Sequence, residues 1–191
     1  MSKVKNIMRC PWVPDKNQEY IDYHDKEWGV PVKDDAKIFE FLVLESAQAG
    51  LSWAIVLKKR ENYRKAFASF DPKKVAKFSE KEINKLLQNS GIIRNRAKIE
   101  AAITNAKRFL EIQKEFGTFS KYMWQFVKNK PIKHKFKTLR DYPEKIKEAE
   151  VFSADLKKRG FKFLGPVICY AHMQAIGMVN DHTTNCFKYK K

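Results

Sequence analysis

Leu156-Lys157-Lys158-Arg159-Gly160-Phe161-Lys162-Phe163-Leu164-Gly165-Pro166 reads as the end of one helix, a tight turn and the start of the next. A turn of this kind presents backbone N–H groups at a helix N-terminus, which is a ready phosphate site. Lys157, Lys158, Arg159 and Lys162 surround it with positive charge. A helix-hairpin-helix motif needs this combination to grip a DNA backbone without reading its sequence. A plain corner between two helices with a solvated basic face has the same outline, and the spacing favours the DNA-gripping reading.

Outward from the hairpin the pattern is helical nearly throughout. From Asp35 to Phe67 apolar residues recur at helical spacing (Ile38, Phe41, Leu42, Leu44); Gly50-Leu51-Ser52 interrupts, and Trp53 to Leu57 resumes. Asp71-Pro72 predicts an N-cap with proline at the first helical position. Ser79 with Glu82 predicts a capping box, for a helix running to about Asn89 with Gly91 as its terminator. Lys98 to Phe116 is an amphipathic helix ended by Gly117, and Phe119 to Val127 is a short aromatic one. Lys128 to Lys137 reads as a basic loop, and Val151 to Lys158 as the helix entering the hairpin. β-branched alternation is nearly absent. The expected fold is therefore all-α, one domain over 1–191, with the hairpin at about 151–177 and a lysine-rich tail at 187–191.

The 191 residues can bury roughly 70% of their unfolded surface, so a sizeable core is possible. Hydrophobic residues at 43% and charged residues at 32% argue against global disorder. Mean hydropathy is −0.57, and no apolar run approaches the ~18 residues of a membrane span. The segment Met1 to Cys10 has no signal-peptide core, which predicts a soluble cytoplasmic protein. Three cysteines (Cys10, Cys169, Cys186) are too few for a disulfide framework or a four-thiolate iron–sulfur site. Lys and Arg number 39 against 22 Asp and Glu, a net +17 that attracts polyanions, nucleic acid above all. Lysine outnumbers arginine 31 to 8, which suits point contacts to phosphates better than bidentate reading of bases.

Two constellations carry chemistry. Cys10 and His24 lie near the N-terminus, with His182 and Cys186 near the C-terminus. Two cysteines and two histidines would complete a closed tetrahedral zinc site, pinning the chain ends together. With more than 150 positions between the pairs, spacing alone favours unrelated packing residues. His134 and His172 lack a partner at ligand spacing, and Cys169 sits in an apolar run as a small hydrophobe. The second constellation is aromatic: Trp12, Tyr20, Tyr23, Trp28 and Trp53, with Glu45 directly after Phe41-Leu42-Val43-Leu44 on an otherwise apolar helix. A buried carboxylate must find partners or lie in a site. Aromatic walls with one polar reader describe how a flipped base is held. On pattern alone the aromatics read as core, with Glu45 as a buried partner of an arginine.

Seven stretches change that balance: Arg9-Cys10-Pro11-Trp12-Val13, Tyr23-His24-Asp25-Lys26-Glu27-Trp28-Gly29, Leu44-Glu45-Ser46-Ala47-Gln48-Ala49-Gly50-Leu51-Ser52-Trp53, Leu57-Lys58-Lys59-Arg60, Gly91-Ile92-Ile93-Arg94, Lys158 to Gly165, and Asn180-Asp181-His182. Together they resemble the DNA-3-methyladenine glycosylase I family, in the family's order from about Met8 to Cys186. The resemblance implies a monomeric helix-hairpin-helix glycosylase of base-excision repair, associated with the nucleoid when bound to DNA. It would flip 3-methyladenine out of alkylated double-stranded DNA and hydrolyse its N-glycosidic bond. By matching position, one structural zinc would be held by Cys10, His24, His182 and Cys186. The base pocket would fall on Glu45, as the catalytic carboxylate, with Tyr23 and Trp53 and with Trp12 and Tyr20 close by, and DNA contacts on Arg159, Lys162, Gly165 and Leu51.

Departures from the wider hairpin superfamily sharpen the expectation. Asn180 stands where many relatives keep a catalytic aspartate, and Asp181 is expected against the zinc ligand His182. Val167 stands where lyase-competent relatives carry lysine, so strand cleavage through a Schiff base is not expected. Phe163 replaces the first hairpin glycine, with Gly165 as the second. The alternative is a non-enzymatic, zinc-stapled DNA-binding module. A nucleobase deaminase is excluded, because its H-x-E and P-C-x-x-C pattern is missing and four protein ligands would close the metal to catalysis.

Overall fold

The computed structural model describes residues 7–189. Residues 1–6 and the last two positions of the lysine-rich tail lie outside the described residues. Helix α1 (Gln18–Lys26) is followed by α2 (Asp35–Gln48), α3 (Trp53–Ala66), α4 (Pro72–Val75), α5 (Glu80–Gln88) and α6 (Arg96–Phe116). Then come α7 (Phe119–Trp124), β1 (Ile132–Lys133), α8 (Lys147–Lys158), α9 (Pro166–Ala175) and β2 (Val179–Asn180).

Helix starts follow from side-chain caps that satisfy N–H groups the helix itself leaves free. Asn17, Asp34, Asp71, Ser79, Asn95 and Thr118 each accept from a backbone N–H in the first turn that follows. Ser79 and Glu82 form the expected capping box. The stop of α5 differs from the expectation. Asn89 ends the helix, and its side chain accepts from the N–H of Gly91, which has an ordinary φ and sits in the following turn. Gly117 does end α6, at φ 87°.

Helix α2 is the axis of the molecule. Every residue from Ile38 to Ala47 is buried, because α3, α6, α7 and α9 pack around it. A helix enclosed on all sides must be apolar all round. Of its three buried polar residues, Ser46 spends its hydroxyl on the Val43 carbonyl at 3.0 Å, and the two charged ones, Glu40 and Glu45, need a reason to be there.

Helices α8 and α9 pack on each other through a turn that other elements clamp. Ser153 Oγ donates to the Leu164 carbonyl at 2.7 Å. Asn105, buried on α6, holds the Lys162 backbone from both sides: its Oδ1 accepts from the N–H at 2.8 Å and its Nδ2 donates to the carbonyl at 3.0 Å. Phe161 and Leu164 point into the core, which leaves Phe163 exposed at φ 54°, a left-handed conformation that a side chain disfavours.

The loop read as 128–137 contains one short β element. β1 pairs in parallel with β2, Ile132 opposite Val179 and Lys133 opposite Asn180. The pairing ties this segment to the chain after α9. Gly177 permits a further close approach there: a Cβ on it would lie 2.3 Å from the Val30 carbonyl carbon. The two ends of the described chain then meet, with the Phe187 N–H donating to the Met8 carbonyl at 2.9 Å.

Candidate active site

Around the inner end of α2 lies a cavity of about 200 Å³. Its walls are Trp12, Tyr20, Tyr23, Trp28, Glu45, Gln48, Trp53, Tyr142, Ala171 and Gln174. Larger clefts exist along 7–21, between α3 and α5, and between α6 and the α8–α9 turn, but none of the three contains an unpartnered buried polar side-chain atom. Rings build the walls: Tyr23 and Trp53 lie 5.3 Å apart between centroids, Trp12 and Trp28 4.8 Å, and Trp12 and Tyr20 5.6 Å.

Glu45 is 2% exposed, and its Oε2 has no hydrogen-bond partner. Burial pushes its carboxyl up to about 8. The alternative that Glu45 pairs with an arginine is excluded, because the arginines belong to its neighbours. Arg60 donates to Glu40 at 2.7 Å and bidentately to Glu27 at 2.7 Å on both oxygens, while Arg64 donates to Glu40 at 2.9 Å. Burial alone would raise Glu27 too, but hydrogen bonds from Arg60 and Lys37 outweigh it and bring the carboxyl down to about 2. Of the three glutamates Glu27, Glu40 and Glu45, only Glu45 is left without a cation. Trp53 Nε1, across the same cavity, is also buried without a partner. Unpaired buried polar groups are costly unless a ligand completes them.

The aromatic wall is shared with a second site. Cys10 Sγ, His24 and Cys186 Sγ place their ligand atoms within 4.8 Å of one another, all three residues buried. His182 does not reach that cluster's spacing, but its ring stands edge-on to His24 at 5.1 Å, and its Nε2 is buried without a partner. Gly29 makes room for that ring: a Cβ there would come within 2.7 Å of His182 Cε1. Two thiols and two imidazoles are the donor set that holds a borderline divalent metal. The far nitrogens are oriented as such a site requires. His24 Nδ1 lies 2.7 Å from Asp25, itself gripped by Arg9, and His182 Nδ1 lies 3.0 Å from Asn180 Oδ1. Asn180, not Asp181, is thus the partner of His182. Asp181 turns the other way, accepting from Tyr170, from Gln174 at 2.7 Å and from His134 at 2.6 Å. Trp12 packs against His24 at 5.2 Å and Trp28 against His182 at 4.6 Å, so the cluster backs the cavity wall.

A family model described as methyladenine glycosylase matches residues 12–189. The chain belongs to the methyladenine glycosylase family. Its members are N-glycosidases, hydrolases of a base–sugar bond, and this chain is one of them. It is 52% identical to the DNA-3-methyladenine glycosylase of Haemophilus influenzae over 178 residues, 93% of this chain and 96% of the relative. A crystal structure of 3-methyladenine DNA glycosylase I is similar at a TM-score of 0.93 and 48% identity, covering 96% of this chain and all of the other. A phenylalanine-for-tyrosine variant of 3-methyladenine DNA glycosylase I, solved in complex with 3-methyladenine, gives 0.89 at 38% identity over 92% and 95%.

For this methyladenine glycosylase the sequence-derived pocket residues Trp12, Tyr20, Tyr23, Glu45 and Trp53 converge on one cavity. The residues thought to touch DNA lie apart from it. Leu51 is 37% exposed in the turn after α2, and Gly165 is the N-cap of α9 with open space around it. Arg159 is committed within the protein: its guanidinium donates to Glu115 at 2.7 Å and Asp155 at 2.9 Å. Trp28, part of the aromatic constellation in the sequence, joins the pocket residues, whereas the sequence pattern does not single out Gln48, Tyr142, Ala171 or Gln174. Gln48 carries a usable signal, three positions after Glu45 and hence on its face of the helix. Tyr142 comes from an irregular segment with no periodicity, and a long-range fold alone brings it in.

Proposed function

We propose that this chain is a base-excision repair glycosylase that extrudes 3-methyladenine from alkylated duplex DNA, hydrolyses its N-glycosidic bond and leaves the strand uncut. The observation that carries the reading is Glu45, a buried carboxyl with no cation of its own, facing an aromatic cavity in a family of N-glycosidases. The lesion supplies the missing charge. N3-methylation makes adenine in DNA cationic, so the glycosidic bond is weakened and the departing base is neutral.

Glu45 then acts by charge and hydrogen bonding. In the free protein burial holds its proton. A cationic base beside it favours the carboxylate, so binding expels that proton, and the anion accepts from the exocyclic amine. Tyr23 and Trp53 give ring faces for stacking, worth ~1–3 kcal/mol per base. Water adds its hydroxyl to the sugar carbon, the bonding pair leaves with the base, and one proton passes to solvent. The product base is neutral and loses its attraction to Glu45, which favours release. Asn180 carries an amide, which supplies no carboxylate in the aspartate's place, and its Oδ1 faces His182.

Cys10, His24, His182 and Cys186 are the ligands we assign to a single zinc, which would supply a structural staple and no open position for chemistry. DNA would be gripped at the α8–α9 turn, where Lys157, Lys158 and Lys162 carry the free charge, with Leu51 facing the duplex. Val167, exposed at the start of α9, stands where a Schiff-base lysine would be needed.

The test is incubation with methylated duplex DNA followed by chromatography of the released bases. Wild type should release 3-methyladenine, leave the strand intact and give no borohydride-trapped adduct. Glu45→Gln should lose release by tenfold or more, with duplex binding retained. Undiminished release by Glu45→Gln overturns the pocket, and a trapped adduct overturns the monofunctional mechanism.

A further inference from the structure

Asp181 is fully buried, adjoins no cation among the described residues other than a histidine ring, and has no step in the mechanism above. Its two oxygens are filled by three donors. Tyr170 hydroxyl and Gln174 Nε2 meet Oδ2, and His134 Nδ1 meets Oδ1. The Asp181 carbonyl accepts from Tyr142 hydroxyl at 2.6 Å. Two of these partners, Gln174 and Tyr142, line the cavity together with Glu45 and Trp28. One buried carboxylate therefore orders two side chains of the cavity that Glu45 also lines.

A primary amide has one donor end and one acceptor end, and nothing in its shape says which way it faces. Here the partner decides. A carboxylate only accepts, so Gln174 must turn its NH2 to Asp181. Its Oε1, which has no protein partner among the described residues, is left for the cavity.

We propose that Gln174, with its amide fixed by Asp181, contributes to specificity by presenting an acceptor to one N–H of the base's exocyclic amine, the other N–H going to Glu45. The site then selects an exocyclic amine and rejects an exocyclic carbonyl at the same place, because two facing acceptors repel and neither finds a proton. This rests on the assignment of the cavity to the methylated base. Gln174 touches the base in this reading, and Asp181 is a positioning residue that acts through it.

The pair of probes is free 3-methyladenine and free 3-methylhypoxanthine, equal in outline but carrying an amine or a carbonyl at C6. Their affinities for the full chain can be read from tryptophan fluorescence, since Trp12, Trp28 and Trp53 line the cavity. Wild type should prefer the amine. Gln174→Met keeps the length without the acceptor and should lower the preference about tenfold, in line with the loss of one buried hydrogen bond and one repulsion. Asp181→Asn frees the amide to turn either way and should also relax the ratio. General damage to the fold would weaken both bases alike and leave their ratio unchanged. If wild type binds 3-methyladenine and Gln174→Met keeps the wild-type ratio, Gln174 is not the discriminator. If wild type binds neither base, the cavity assignment fails and this inference fails with it.

Discussion

Glu45 shows how a functional residue works against the fold that holds it. Between about pH 4.5 and 8 the folded chain keeps a proton on Glu45 that the unfolded chain has released. The folded state therefore binds more protons in this window, and the residue's contribution to stability falls as pH rises through it. Glu45→Gln has no such proton to lose. The variant should melt close to wild type at pH 5 and several degrees higher at pH 8, at about 2–4 °C for each kcal/mol. Effects of other titrating groups cancel in the difference between the two proteins. A difference in Tm that stays constant across the window would show that Glu45 is already solvated or paired. The sequence marks this position, since a carboxyl on a helix otherwise apolar is conspicuous. It does not say that Glu40 would take the arginines and Glu45 would have none, because Arg60 and Arg64 arrive from α3 across the fold.

At the scale of elements, the helix starts are legible because a cap and its helix are neighbours in sequence. The Ser79–Glu82 box and the Asp71-Pro72 start need only local chemistry. What is not legible is the support one element gives another. Lys98 on α6 donates to the carbonyls of Ala47 and Ala49 at 2.8 and 2.7 Å, which caps the end of α2 and fixes the turn that exposes Leu51. Asn105 does the same for the α8–α9 turn. The consequence is that residues of the hairpin divide by task. Arg159 is neutralised by Glu115 and Asp155 and stacks over Tyr122 at 5.1 Å, so its removal should lower stability more than DNA affinity. Lys162 has its backbone clamped and its ammonium free of acidic partners among the described residues. Lys162→Glu should weaken binding to any duplex and lower the log–log salt slope by about 0.9, the share of one neutralised phosphate. Titration of fluorescent duplex at several salt concentrations reads the slope. An unchanged value would move the phosphate grip away from this turn.

For the whole molecule, the question is what the two chain ends do for a cavity formed by five different parts of the chain. Cys10 and His24 belong to the first segment and His182 and Cys186 to the last, and no local spacing relates them; their convergence is a property of the complete fold. The aromatic wall makes that convergence matter, because Trp12 leans on His24 and Trp28 on His182. A closed metal site there would hold both indoles in place as well as joining the ends. The purified protein should therefore contain one zinc per chain by elemental analysis. His182→Ala should lose it and melt on the order of 10 °C lower, given about 2–4 °C per kcal/mol. Stripping the metal from wild type with a chelator should weaken 3-methyladenine binding as the Trp12 and Trp28 faces loosen, and zinc added back should restore both stability and affinity. Restoration of the melting temperature without the affinity would separate the staple from the pocket. A wild-type protein with no stoichiometric zinc, equally stable before and after chelation, would leave Cys10, His24, His182 and Cys186 as a packed core of thiols and imidazoles.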